Sequence, residues 1–122
     1  MPLDSLELAR RLARFLSAKK AEDLVILDVR GRASYTDFIL IASARSARHV
    51  QGLAEFLEAE AAREGLHPLG VEGLPQGHWV VLDYEDAVVH IFYEPVRRVY
   101  DLEGLWADAP RIELPEEEDG GG

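Results

Sequence analysis

The side chains in this sequence that could do chemistry are a few histidines, serines and carboxylates. Cysteine is absent, which excludes thiolate metal sites and cysteine nucleophiles. No pair of histidines has HxxxH or HExxH spacing, so we expect no metal site. Ser43, Asp83 and His90 could form a hydrolase triad, but no serine lies in a GxSxG sequence. The residue types therefore predict no catalytic residue, metal or cofactor.

Nucleotide chemistry also lacks its usual signals. Neither GxxxxGK[ST] nor GxGxxG occurs as a phosphate-binding loop. Asp28 and Asp37 both fall near predicted strand ends, and paired carboxylates there would suit metal-dependent nucleotidyl transfer. No Gly-Ser loop followed by an Asp-x-Asp pair accompanies them, which favours solvated acids at strand ends. A nucleotide-binding or nucleotidyl-transferring enzyme stays open as an alternative.

The segment around Trp79 has the composition of a protein-binding surface. A tryptophan beside a tyrosine and acidic residues is typical of an anchor for a partner protein. For His90 a second interpretation is a ring hydrogen-bonded to Asp83 across a hairpin, and Trp79 could instead be a core residue. We predict the following partner-binding residues: Trp79, Leu82, Asp83, Tyr84, Asp86 and His90.

Hydrophobic periodicity and turn residues give the elements that must position these side chains. Asp4 and Ser46 suit the N-caps of two helices, and Tyr84-Glu85-Asp86 suits a hairpin turn. The order indicates an α/β (α+β) fold with a mixed sheet of about five strands and flanking helices. The predicted elements are helices at 6–19 and 47–63, strands at 24–29 and 37–42, a weak edge strand at 67–71, hairpin strands at 79–83 and 87–92, and short helical segments after Pro95 and Asp101.

Length and charge restrict the class of partner. The 122 residues suit one domain, and the net charge of −10 disfavours nucleic acid as the main partner. A basic protein partner is favoured, with little direct nucleic-acid contact. The N-terminus has no apolar signal core and no run is long enough to span a membrane, so we expect a cytoplasmic protein. We predict a folded domain at 1–110 and a disordered, acidic, glycine-ended tail at 111–122.

Three ordered blocks of sequence resemble the Iojap-type ribosomal silencing factor family. Together they cover about Leu8 to Pro110, which makes the signal far more specific than one short motif. The blocks are 34–38 with 41–43 and 46–50, then 72–73 with 77–83 and 88–92, then 98–103 with 105–109.

The resemblance implies a repressor of translation rather than an enzyme. Such proteins bind ribosomal protein L fourteen on the large ribosomal subunit and block joining of the small subunit when nutrients are scarce. The resemblance further implies a nucleotidyltransferase-like core without the catalytic carboxylates, and a homodimer when the protein is free. A small dimeric scaffold with no ribosomal role remains a third hypothesis.

Overall fold

A computed structural model describes residues 3–114. The elements in chain order are α1 Ser5–Ala18, β1 Glu22–Asp28, β2 Phe38–Ala44, α2 Ala47–Arg63, β3 Gly70–Glu72, β4 Trp79–Asp83, β5 Ala87–Tyr93, α3 Glu94–Tyr100, α4 Leu102–Leu105 and β6 Arg111–Ile112. The six strands form one sheet in the order β3-β4-β5-β2-β1-β6. The neighbours β2 and β5 are parallel, and the other neighbouring strands are antiparallel. The predicted mixed sheet with flanking helices is confirmed.

The helices α1 and α2 cover one face of the sheet. Asp4 accepts a hydrogen bond from the Glu7 amide at 2.8 Å, and Ser46 accepts one from the His49 amide at 3.0 Å. Both predicted N-caps are therefore confirmed, and each satisfies an amide that the helix itself leaves without a partner. The apolar stripes of the two helices are buried against the sheet through Leu8, Leu12, Leu16, Val50, Leu53 and Leu57.

The strand β2 lies in the interior of the sheet and is buried along its whole length. A continuous apolar run is expected for a strand covered on both faces, and the 37–42 segment meets that expectation. Its register sets Ser43 opposite Phe92 of β5 and Phe38 opposite Ala87. The ends of β2, β4 and β5 near Phe92 therefore lie at one end of the sheet.

The second face of the sheet is covered by α3, α4 and the segment that follows them. Leu27, Ile39, Ile41 and Phe92 form the buried part of this smaller core, and Trp106 packs against it as a half-buried side chain. Trp106 is thus a packing residue of this second core. Because α3 and α4 are short helices, they leave Trp79, Val81 and Asp83 of β4 partly exposed to solvent on this face.

Arg97 of α3 fastens this cover to the sheet. Its guanidinium donates to the Glu103 carboxylate at 2.7 and 3.0 Å and to the Ser43 hydroxyl at 2.6 Å. The Arg97 residue is only 8% exposed, so the ion pair is shielded from solvent. Burial raises the pKa of Glu103, but the hydrogen bonds from Arg97, a backbone hydrogen bond and the charges of Arg97 and Arg111 together leave that pKa below its usual value.

The folded part extends past the predicted boundary at Pro110. Arg111 and Ile112 form β6, opposite Leu27 and Ile26 of β1, and so belong to the sheet. The prediction of a disordered tail from residue 111 is wrong for these two residues, because their backbone pairs with Leu27 and Ile26 at the outer edge of β1. The rest of the predicted tail, from residue 115 onward, lies outside the described residues.

Two truncations test this corrected boundary. Removing residues 115–122 should leave the melting temperature within about 1 °C of the full chain. Removing residues 111–122 deletes β6 and the apolar side chains of Ile112 and Leu114, which pack against the core. That loss should lower the free energy of unfolding by about 2 kcal/mol. Thermal unfolding followed by circular dichroism separates the two cases, and equal melting temperatures would show that β6 adds no stability.

Candidate protein-binding site

Trp79 begins β4 on the second face of the sheet, at the end where α3 starts. Along β4 the half-buried Trp79, Val81 and Asp83 alternate with the fully buried Val80 and Leu82. This alternation is the period of two expected for a strand, with successive side chains on opposite faces. Trp79 is therefore neither fully exposed nor a residue of the closed core.

Four rings form an aromatic cluster around Trp79, which we define as Trp79, His90, Phe92 and Tyr100. The Trp79 and Phe92 rings stack with centroids 4.9 Å apart, and Tyr100 of α3 lies 4.7 Å from Trp79 on a tilted plane. The His90 ring lies 6.0 Å from Trp79. These separations are those of favourable aromatic pairs, so the neighbours hold Trp79 in one orientation.

His90 is hydrogen-bonded to Trp79 and not to Asp83. The indole Nε1–H donates to His90 Nδ1 at 3.0 Å. The predicted Asp83 partner is wrong because the register sets His90 opposite Val81, while the Asp83 carboxylate turns to the Glu85 amide at 2.8 Å. Since Nδ1 accepts a hydrogen bond, the proton of the neutral ring is on Nε2.

Burial lowers the pKa of His90 to about 4 from its usual 6.5. The folded protein thus binds a proton at His90 less readily than the unfolded chain does. The stability from neutral His90 is fully present above about pH 6.5 and is lost as the pH falls toward 4.

We expect protonation of His90 to lower the free energy of unfolding by about 3 kcal/mol as the pH falls from 7 to 4. Urea titrations of the wild type and of His90→Gln across that range measure it. The glutamine oxygen can still accept from Trp79 but does not titrate, so the variant should have the flatter profile. Parallel profiles for the two proteins would show that His90 does not carry the effect.

Two of the predicted partner-binding residues face away from solvent. Leu82 is fully buried and Tyr84 is only 6% exposed, and both belong to the core beneath α1 and α2. This packing corrects their prediction as surface anchors, because Leu82 of β4 and Tyr84 just after it both face the side of the sheet opposite Trp79. In the folded chain both side chains pack in the core between the hairpin and the helices α1 and α2.

The two predicted carboxylates lie at the other end of the hairpin from Trp79. Asp83 pairs with Val88 whereas Trp79 pairs with Phe92, so the strand separates them by about 13 Å. Asp83 caps the turn through the Glu85 amide, and the Asp86 side chain is exposed. The structure therefore brings Trp79 and His90 together and leaves Asp83 and Asp86 as an acidic edge of the same hairpin.

Tyr100 belongs to this site although it is not among the predicted partner-binding residues. It is 58% exposed while its ring contacts Trp79, and the adjacent Val99 is 78% exposed. Large exposed apolar side chains beside an ordered tryptophan are typical of a protein-binding surface. The helix α3 follows β5 directly, which indicates that Tyr100 lies near the hairpin. Sequence spacing alone does not show which ring Tyr100 contacts.

The groups considered for catalysis are engaged elsewhere. The Ser43 hydroxyl accepts from Arg97, so Ser43, His90 and Asp83 make no hydrogen bond with one another. Arg30 donates hydrogen bonds to the Asp28 carboxylate at 2.7 and 3.0 Å, and these bonds lower the pKa of Asp28 from its usual value. Within residues 3–114 no group of three or more histidine, aspartate or glutamate side chains could hold a metal ion.

Across that same range, no helix is both long and apolar enough to cross a membrane.

Comparisons with known proteins agree on one family. A family model described as "Ribosomal silencing factor during starvation" matches residues 2–121. Relatives named "Ribosomal silencing factor RsfS" are 39% identical over 108 residues in Halalkalibacterium halodurans and 38% identical over 96 in Bacillus subtilis. These matches cover 88% and 79% of this chain, and 92% and 81% of the relatives. A solved structure from Chromobacterium violaceum superposes with a TM-score of 0.83 at 29% identity, covering 97% of this chain and 95% of that one.

Proposed function

Because the chain belongs to the ribosomal silencing factor family, we propose that it represses translation by binding ribosomal protein L fourteen on the large subunit. Bound there, it would obstruct joining of the small subunit and slow protein synthesis under nutrient limitation. The relatives are named silencing factors and not enzymes, which supports regulation of translation through binding. The predicted cytoplasmic location is part of this proposal.

The aromatic cluster is the observation that carries the proposed contact. Trp79 is ordered by three neighbouring rings and a hydrogen bond, yet one side of it and most of Tyr100 remain open. A rigid, amphipathic ring loses little conformational entropy on binding, which is why tryptophan and tyrosine dominate binding hot spots. We assign Trp79 and Tyr100 as the anchors and His90 as the residue that holds Trp79 in place.

Charge supports a basic partner at this surface. The chain carries a net charge of −10, and Asp83 and Asp86 place carboxylates at the edge of the same hairpin. Ribosomal proteins that face RNA are basic, so the potentials are complementary. Such complementarity mainly raises the association rate and orients the partners.

Repression by this route requires no chemistry. A folded domain bound at the face of the large subunit that the small subunit must contact acts by occupying space. The engaged states of Ser43 and Asp28 agree with a function that depends on shape and affinity alone. We further propose that the free chain is a homodimer, since exposed apolar side chains such as Val99 and Tyr100 offer surface that a second copy would bury.

Isothermal titration of purified L fourteen with this chain tests the proposed partner. We expect a one-to-one complex between L fourteen and each bound copy of the chain, with a negative heat-capacity change from burial of the aromatic cluster. The complex should weaken as salt is raised. Absence of binding to L fourteen, with retained binding to whole large subunits, would assign the contact to another component.

Substituting Asp86 by asparagine should change binding modestly and mainly through the association rate. Asp86 is exposed at the hairpin turn, so solvent and salt screen its charge. We expect the association rate with L fourteen to fall about two- to fivefold at low salt and to match the wild type at 0.5 M salt. Stopped-flow or surface-plasmon measurements give both rates. A change confined to the dissociation rate would instead mean that Asp86 is buried in the complex.

A further inference from the structure

A basic cleft lies where α1 ends and α2 begins, outside the aromatic cluster. It has a volume of about 610 Å³, and its polar lining comes from Lys19, Lys20, Arg48 and His49, with no carboxylate. The His49 ring nitrogen lies 3.5 Å from the Lys19 carbonyl oxygen, so the two helix ends are in contact. Such a local concentration of positive charge is unexpected in a chain whose net charge is −10.

Helix electrostatics explain the lysines but not Arg48. Cations such as Lys19 and Lys20 are favoured where a helix ends, whereas a cation in the first turn is disfavoured. Arg48 is in the first turn of α2, where no acidic residue occurs, while α1, α3 and α4 each have a glutamate in that turn. Among residues 3–114, no carboxylate pairs with Arg48 within 4.0 Å. Arg48 therefore does not serve the stability of its own helix.

Gly52 is a second residue in the cleft that folding does not require. It lies inside α2, where glycine is less favourable than any other residue except proline. A Cβ built at Gly52 would meet no atom within 4 Å, so no packing contact in the described chain demands its absence. The glycine leaves the helix backbone open on the cleft wall, where another molecule can approach closely.

The cleft lies at the same end of the sheet as Trp79. The loop before β4 touches the first turns of α2, because Gln51 donates to the Leu74 and Pro75 carbonyl oxygens at 3.0 Å. Gly77 in that loop packs so closely on Ala47 that a Cβ there would come within 2.7 Å of the Ala47 carbonyl oxygen. Trp79 follows two residues later on the other face of the sheet, so a large partner that extends around this end of the sheet could reach both features.

We propose that the basic cleft binds the phosphate backbone of ribosomal RNA next to the protein docked on the aromatic cluster. This inference rests on the proposed function, since it takes the large subunit as the partner. The surface of a ribosomal subunit consists of RNA and mostly basic proteins, and only the RNA complements an acid-free cleft that three permanent cations line. The negative charge elsewhere keeps RNA from binding nonspecifically, so the cleft contributes orientation as well as affinity.

Arg48→Glu and Gly52→Gln test the proposal, because each should stabilise the fold while weakening binding. We expect both to raise the melting temperature by about 2 to 5 °C. Both should lower affinity for large subunits about tenfold at low salt, and Arg48→Glu should reduce the salt dependence by about one phosphate contact. Arg14→Glu is the matched control, since Arg14 is exposed on α1, has no ion pair within residues 3–114 and lies outside the cleft.

A crosslink identifies the molecule in the cleft. The chain has no cysteine, so Lys20→Cys carries one photoreactive group at the cleft and Arg14→Cys carries the same group away from it. With purified large subunits we expect the Lys20→Cys probe to label ribosomal RNA. Label on ribosomal protein alone would overturn the RNA assignment.

The outcomes separate this inference from the proposed function. Failure of the wild-type chain to bind large subunits would overturn the proposed function itself. If the wild type and Arg14→Glu bind, and Arg48→Glu and Gly52→Gln bind equally well with the same salt dependence, only the role of the basic cleft is overturned.

Discussion

Trp79→Ala is expected to abolish detectable binding of the chain to large ribosomal subunits. The substitution removes the ring that Phe92 and Tyr100 hold against the open part of the sheet. Truncating a tryptophan anchor commonly costs about 2 to 4 kcal/mol of binding free energy, or roughly thirty- to a thousandfold in affinity. Sedimentation with large subunits across a range of chain concentrations measures the loss.

Two further variants keep this prediction falsifiable if Trp79→Ala also loosens the fold. Tyr100→Ala removes a ring that is 58% exposed, so it should leave the melting temperature almost unchanged and still weaken binding at least tenfold. Leu69→Ala is the matched control, because Leu69 is 71% exposed beside β3 and outside the aromatic cluster. Normal binding by a folded Tyr100→Ala protein would move the contact away from this cluster.

Arg97→Met should produce the largest loss of stability among the substitutions considered. It leaves the partly buried Glu103 carboxylate without its cation and the buried Ser43 hydroxyl without its donor. Breaking one side of a buried ion pair typically removes about 3 to 5 kcal/mol from the free energy of unfolding. Urea denaturation at pH 7 is the direct measurement.

Arg98→Met on the same helix is the control for Arg97→Met. Arg98 is paired with Glu94, but its side chain is 69% exposed, so its loss should change stability by no more than about 0.5 kcal/mol. Combining Arg97→Met with Glu103→Gln should recover part of the stability, since the uncompensated charge is then gone. Similar losses for Arg97→Met and Arg98→Met would show that burial of the pair is unimportant.

The regular elements could be read from the sequence because each is specified by local signals. The helix at 47–63 matches its prediction at both ends, since Ser46 caps its start and Gly65, with a φ of +78°, follows its end. The hairpin was recognisable from two apolar runs around a short polar link. By contrast, β6 consists of two residues in an acidic segment, so neither periodicity nor composition could reveal it.

The site was harder to predict because it depends on pairings that distant residues make. The period of two along a strand puts Leu82 and Tyr84 on the face opposite Trp79, so it argues against predicting all three as anchors of one surface. The contact of Tyr100 with Trp79 depends on how α3 folds back over the sheet. No sequence spacing encodes that geometry.

The net charge of the chain describes an average and does not show where the cations are concentrated. A net charge of −10 disfavours nucleic acid as the main partner, but it says nothing about how the cations are distributed. The structure gathers Lys19, Lys20 and Arg48 from two helices into one cleft. Arg48 lies about 30 positions after the two lysines, so only the packing of α1 on α2 brings it to them.

Light scattering during subunit joining tests the central claim most directly. Large subunits are incubated with the chain, small subunits are added, and formation of the complete ribosome is followed over time. We predict that the wild-type chain suppresses joining in proportion to its occupancy of the large subunit, while Trp79→Ala at the same concentration leaves joining unchanged. Joining at the normal rate and extent on large subunits saturated with the wild-type chain would contradict the account.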